Sequence, residues 1–75
     1  MITKMKEFIE NELSQAKRCS ACSQDVLFSR NRAFGALQFT LTVVDNEYFE
    51  ELNQWWYTKW LEYEELRKKF LTKEH

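Results

Sequence analysis

Cys19 and Cys22 have the spacing closest to that of a chemical site, because Cys-x-x-Cys occurs in redox centres and in zinc sites. A thioredoxin-like pair stands at a helix start after a strand, whereas these cysteines fall late in a predicted helix. A zinc site needs four ligands, and the chain has a single histidine, His75, at its end. We therefore expect reduced, structural thiols, with redox chemistry or a zinc site shared between two subunits as the alternatives.

Other combinations of residues give no reaction chemistry. A cysteine nucleophile needs a base that a third group orients, and His75 has no such group. The glutamates of the last third lie on a charged predicted helix, where a solvated face explains them more simply than an acid–base pair does. Gly35 is the only glycine, which excludes a phosphate-binding loop. The sequence predicts a non-enzymatic protein with no catalytic residues, no metal and no cofactor.

The composition is that of one small globular domain spanning residues 1–75. Aromatic residues make up 16% of the chain, and the formal net charge of -1 does not favour nucleic acid as a partner. No stretch reaches the ~18 apolar residues of a membrane span, and the N-terminus lacks the apolar core of a signal peptide. We expect a cytoplasmic protein without membrane partners. Because so small a domain buries only about 60% of its unfolded surface, a homodimer would add stability.

Two long amphipathic helices are predicted at the ends of the chain. Apolar and small residues recur every three or four positions over residues 2–27, with Thr3 as the N-cap. The other long helix is predicted over residues 47–72, after the capping residues Asp45 and Asn46. Its acidic residues come first and its basic residues last, as the helix macrodipole favours. Its apolar face is too wide for one neighbour, so we expect it to contact two helices.

The middle segment allows two interpretations. Residues 37–43 alternate apolar and polar side chains, as a half-buried strand does. Leu37 and Leu41 also belong to a helical stripe, for which Ser29 is an available N-cap. No second strand candidate exists, so the helix is favoured. The predicted fold is all-α, a small three-helix bundle in which two long helices flank a shorter middle helix; the alternative has residues 36–44 as a strand that pairs across a homodimer.

All three tryptophans lie within residues 55–60 of the last predicted helix. Helical spacing puts Trp56 and Trp60 in the central apolar stripe, where we expect them to fill a trough of small side chains on the first helix. Aromatic and apolar residues beside that stripe are candidates for an interface, because amphipathic aromatics dominate binding energy. Arginines near the predicted turn between the first two segments would form its charged rim. The predicted partner-binding residues are Tyr48, Trp55, Tyr57, Leu61, Arg30 and Arg32.

At the run Arg32-Ala-Phe-Gly-Ala-Leu-Gln-Phe39, followed by a helix with two adjacent tryptophans, the chain resembles short accessory proteins encoded by phages and prophages of Gram-positive bacteria. Such proteins often bind and block a host protein, including components of antiphage defence. The resemblance therefore implies a small accessory protein of a mobile element, acting in the host cytoplasm. It brings no functional residues with it.

Two functions of different classes follow. The first is an interaction module, encoded by a phage, that binds and modulates or inhibits a host protein through its aromatic-rich third helix. The alternative is a homodimeric structural or regulatory protein, associated with DNA if the middle segment pairs as a ribbon.

Overall fold

The computed structural model describes residues 1–73, which form three α-helices. The elements in chain order are α1 (Ile2–Cys19), α2 (Ser23–Val43), a 3₁₀ turn (Asn46–Tyr48) and α3 (Phe49–Lys73). No strand occurs in the described range. The predicted all-α three-helix bundle is therefore confirmed, and the alternative strand over residues 36–44 is wrong. No helix of residues 1–73 is long and apolar enough to cross a membrane.

The break between the first two helices differs from the prediction. A first helix was expected to extend through residue 27, but α1 ends at Cys19 and the backbone is extended at Ser20 and Cys22. Asp25 stabilises the turn, because its Oδ2 atom accepts a hydrogen bond of 2.8 Å from the backbone N–H of Ala21. As a result α2 has 21 residues and α1 has 18, so the middle helix is not the shorter one that was predicted.

Two of the predicted N-caps are wrong. Met1, rather than Thr3, precedes the first helical residue. Ser29 lies inside α2, where its side chain is buried rather than capping a helix end. Asp45 does stand at the N-cap position of the 3₁₀ turn that leads into α3, although its side chain makes no capping hydrogen bond.

Short connections make consecutive helices antiparallel, so α1 and α3 run in the same direction. Ion pairs between them follow that direction: Lys59 Nζ lies 3.5 Å from Glu10, and Lys17 Nζ lies 3.1 Å from Glu62. As predicted, α3 contacts two helices, α1 and α2. The bundle is elongated, with Cα extents of 44 × 18 × 14 Å.

The core is a narrow column of side chains from all three helices. Its buried hydrophobic members are Met5, Ile9, Leu13, Ala16, Val26, Ala33, Leu37, Leu52, Tyr63 and Leu66. Most of the large aromatic residues are absent from this set. A bundle of three helices with a thin cross-section has room for few fully buried rings, so Trp55, Trp56 and Phe70 pack against the core only partly buried and others, such as Tyr57, are exposed.

Candidate interaction surface

A chain of polar side chains, buried at Ser29 and Tyr63 and exposed at Arg32, joins the three helices. Ser29 of α2 lies 3.0 Å from the hydroxyl of Tyr63 on α3 and 3.0 Å from Oε2 of Glu12 on α1. An ionised carboxylate can only accept hydrogen bonds, so Ser29 donates its proton to Glu12 and accepts the proton of Tyr63. Arg32 completes the chain by donating two hydrogen bonds to the Glu12 carboxylate, at 3.0 and 3.2 Å.

The same contacts determine the protonation states of Glu12 and Tyr63. The hydrogen bonds from Arg32 lower the pKa of Glu12, although burial opposes them and Ser29 adds a smaller lowering effect. Burial raises the pKa of Tyr63, and the charge of Glu12 raises it further. Near neutral pH the carboxylate is therefore ionised and the phenol is protonated, as the direction of the hydrogen bonds requires.

We expect Glu12→Gln to weaken the dependence of stability on acid. The pKa of Glu12 in the folded protein lies below its ordinary value of 4.5. Its stabilising contribution is therefore fully present above that value and is lost as the pH falls through the folded pKa. Urea unfolding followed by circular dichroism between about pH 7 and pH 2 measures the effect. Equal pH dependence in the parent and in Glu12→Gln would contradict the role assigned to this carboxylate.

Four aromatic side chains lie where α2 meets α3 as two contacting pairs, with Trp56 and Trp60 one helical turn apart. This aromatic cluster consists of Phe34, Trp56, Tyr57 and Trp60. The rings of Phe34 and Trp56 meet edge to face at 5.6 Å, and those of Tyr57 and Trp60 stack at 6.3 Å with an interplanar angle of 10°. Tyr57 is 60% exposed and Trp60 is 37% exposed. The cluster therefore presents stacked rings to solvent from a helix that is fixed by packing.

Charged residues hold one end of the aromatic cluster in place. The guanidinium of Arg30 lies 5.9 Å from the Trp60 ring and also pairs with Glu64. The second oxygen of Glu64 lies 3.6 Å from Arg67. Because Arg30 is already compensated, it acts as a support for the Trp60 ring through a cation–π contact rather than as a free positive charge.

The structure corrects the expected positions of two tryptophans. Trp60 was predicted to be core but lies at the surface, and Trp56 is only half-buried, 6.5 Å from the Tyr63 ring. Neither fills the expected trough of small residues on α1. A cavity of about 210 Å³ lies instead beside Ala16 and Ser20, at the end of the bundle where α1 turns into α2.

The predicted partner-binding residues fall in different places. Tyr57 belongs to the aromatic cluster, and Arg30 contacts it. Trp55 is half-buried on the side towards α1, between Lys6 at 5.3 Å and Lys59 at 5.5 Å. The remaining three lie apart: Tyr48 is exposed in the 3₁₀ turn, Leu61 borders a groove between α1 and α3, and Arg32 bonds to Glu12 on the opposite side of α2.

Arg30 and Arg32 are predicted near a turn between the first two segments, but both lie well inside α2. Phe34 is not among the predicted partner-binding residues, because its spacing fits the same helical stripe as Leu37 and Leu41. The distribution of apolar residues in α2 could have indicated the error. They occur on every side of the helix, so one stripe cannot account for all of them.

The Cys-x-x-Cys segment does not lie late in a helix, as was predicted, but spans the turn between two helices. Cys19 is the last residue of α1, Cys22 is the N-cap of α2, and both are free thiols. Within residues 1–73 no group of three His, Cys, Asp or Glu side chains is arranged to hold a metal ion. His75 lies outside the described residues. Comparison of the chain with protein-family models, curated proteins and solved structures gives no match.

Proposed function

We propose that this protein is a non-enzymatic interaction module that binds another protein through the aromatic cluster. The observation that supports the proposal is the stacked pair of Tyr57 and Trp60, exposed at 60% and 37% on a packed helix. Single exposed apolar residues are common on protein surfaces. A stacked pair of large rings is different, because Tyr and Trp give a partner a large contact area with few rotatable bonds to immobilise.

The electrostatics of this surface favour a contact that is mainly apolar. Glu64 pairs with both Arg30 and Arg67 beside Trp60, so these three groups together leave only a single net positive charge. A partner that covers the rings would remove apolar area from water and leave this ion-pair group at the rim. Binding should therefore depend on the rings and only weakly on salt concentration.

The proposed partner is a host protein that the module modulates or inhibits in the host cytoplasm, with antiphage defence as one setting. This part of the proposal rests on the resemblance to phage accessory proteins at residues 32–39. That run lies in α2 and includes Phe34, which forms the edge-to-face contact with Trp56 in the aromatic cluster.

We expect the double variant Tyr57→Ala, Trp60→Ala to lose most of its affinity for a partner isolated from host lysate. Truncating a central interface aromatic commonly costs about 2 kcal/mol or more, which is roughly a thirtyfold loss. Titration of the purified partner, followed by calorimetry, measures the change. The single variant Tyr57→Ala separates binding from folding, since its side chain is largely exposed and its loss should scarcely affect stability.

Leu61→Ala is the matched control, because Leu61 is exposed one turn after Tyr57 but lies outside the aromatic cluster. It should bind as tightly as the parent. Unchanged affinity in the double variant, with circular dichroism showing a folded protein, would contradict the proposed surface. Equal losses in Leu61→Ala and Tyr57→Ala would show that the binding face is not confined to the cluster.

A further inference from the structure

A second exposed surface lies on α2, on the side that faces away from the core. Phe28 is 52% exposed and Phe39 is 63% exposed, and Val43 is also exposed. The steps from residue 28 to residue 35 and from 35 to 39 are close to whole numbers of helical turns, so these positions share one face about 17 Å long. We call the face formed by Phe28, Gly35 and Phe39 the outer stripe. A helix with apolar residues on every side is normally covered on every side.

Gly35 lies in the middle of the outer stripe, and nothing within a single chain requires a glycine at this position. Apart from its own helix backbone and chain neighbours, no heavy atom lies within 4 Å of the position that a Cβ would occupy. The backbone there has no positive φ that would favour glycine. A glycine inside a helix costs roughly 0.5–1 kcal/mol relative to alanine. What a glycine does provide is room for another backbone to approach closely.

We propose that a second copy of this chain packs on the outer stripe, with the two α2 helices crossing antiparallel at Gly35. In this arrangement each glycine faces the other, so a two-fold axis passes between them. Phe39 lies four residues after Gly35 and therefore faces Asn31 of the other copy, which lies four residues before Gly35. Phe28 lies seven residues before Gly35 and faces Thr42 of the other copy, which lies seven residues after it. Each large ring therefore meets a smaller neutral side chain, and no ring has to meet another ring of the same size.

The charge of the face also suits a second copy. Arg32 is the charged residue of α2 nearest to the outer stripe, and it donates two hydrogen bonds to the Glu12 carboxylate of the same chain, which neutralises its charge. Two copies can therefore approach without repulsion between like charges. A face without net charge offers nothing to select a charged foreign partner, whereas it matches its own copy. The added buried surface would also stabilise a domain of 75 residues, whose own core is small.

This inference does not depend on the proposed function, because the outer stripe and the aromatic cluster share no residues. A dimer formed in this way leaves Tyr57 and Trp60 on α3 uncovered for a different partner. Variants of the outer stripe should therefore alter the oligomeric state without altering partner binding through the aromatic cluster, and variants of the cluster should do the reverse.

Sedimentation velocity of the full chain from about 1 to about 200 µM tests the proposal. The parent should change from monomer to dimer over this range. Gly35→Leu should weaken dimerisation at least about tenfold, because the added side chain prevents close approach of the two helices. Gln54→Leu adds the same side chain to the exposed side of α3 and should leave the dimer unchanged. A parent that stays monomeric, or a dimer equally stable in Gly35→Leu, would overturn the proposal and leave the outer stripe to a foreign protein.

Disulfide trapping provides a second test that does not depend on weakening the dimer. In a Cys19→Ser, Cys22→Ser background, Gly35→Cys should form an intermolecular disulfide under mild oxidation, because a residue on a two-fold axis meets its own copy. Thr58→Cys, which is exposed on α3, should not. Equal crosslinking at both positions would mean random collision rather than a specific dimer, and would also overturn the proposal.

Discussion

Tyr63→Ala is expected to destabilise the protein by about 3–5 kcal/mol, which approaches the total stability of so small a domain. Tyr63 is the largest fully buried side chain in the described residues. Its ring lies 6.5 Å from that of Trp56, and its hydroxyl bonds to Ser29 at 3.0 Å. Alanine would leave a large cavity in the core. It would also remove the hydroxyl group of Tyr63, which donates a hydrogen bond to Ser29. Urea unfolding monitored by circular dichroism measures the loss.

Tyr63→Phe separates these two contributions. It keeps the ring and removes only the hydroxyl, while Ser29 can still donate to Glu12. The expected loss is about 1–3 kcal/mol, the penalty for removing one partner of a buried hydrogen bond. If Tyr63→Phe destabilised the protein as much as Tyr63→Ala, the hydroxyl would matter more than the ring. A Tyr63→Ala variant with the stability of the parent would contradict the assignment of this residue to the core.

The second large effect is expected for Ile9→Ala, at about 2–5 kcal/mol. Ile9 is fully buried on α1, in the middle of the core column. The adjacent residue, Phe8, is the matched control because it is larger but 45% exposed. Phe8→Ala should change stability much less, since most of the removed surface was already in contact with water. Thermal unfolding of the two variants measures the difference.

The comparison of these neighbours tests the orientation of α1 directly. A rotation of the helix by one position would exchange their environments, because adjacent residues lie about 100° apart on a helix. A larger loss in Phe8→Ala than in Ile9→Ala would therefore contradict the packing of α1 described above.

Much of the fold could be predicted from the sequence where one stripe of apolar residues faces one core. This was the case for α1, where Met5, Ile9, Leu13 and Ala16 are all buried as their spacing predicted. The prediction failed at the α1–α2 turn. Ser20 and Ser23 continue the helical spacing of the first segment, but small polar residues suit a helix face and a turn equally. The hydrogen bond from the Ala21 N–H to Asp25 belongs to the turn, and it depends on the turn already being formed.

The candidate site was predicted in part. Tyr57 and Leu61 lie at the surface as helical spacing indicated, because their angle from the core stripe is large. Trp60 lies close to that stripe, and spacing alone could not show that it would be pushed to the edge. Its position depends on Arg30, a residue thirty positions earlier in the chain, whose guanidinium lies beside the ring. Such contacts between distant residues are not visible in a local pattern.

The short connections between the helices have a consequence for how quickly the aromatic cluster forms. The aromatic cluster is built by α2 and α3, which are neighbours in the chain and are joined by one brief turn. Helical domains with such local contacts fold in microseconds to milliseconds. The sequence contains no proline, so no slow prolyl isomerisation delays the last step. The aromatic cluster can therefore form almost as soon as α3 is available to pack against α2.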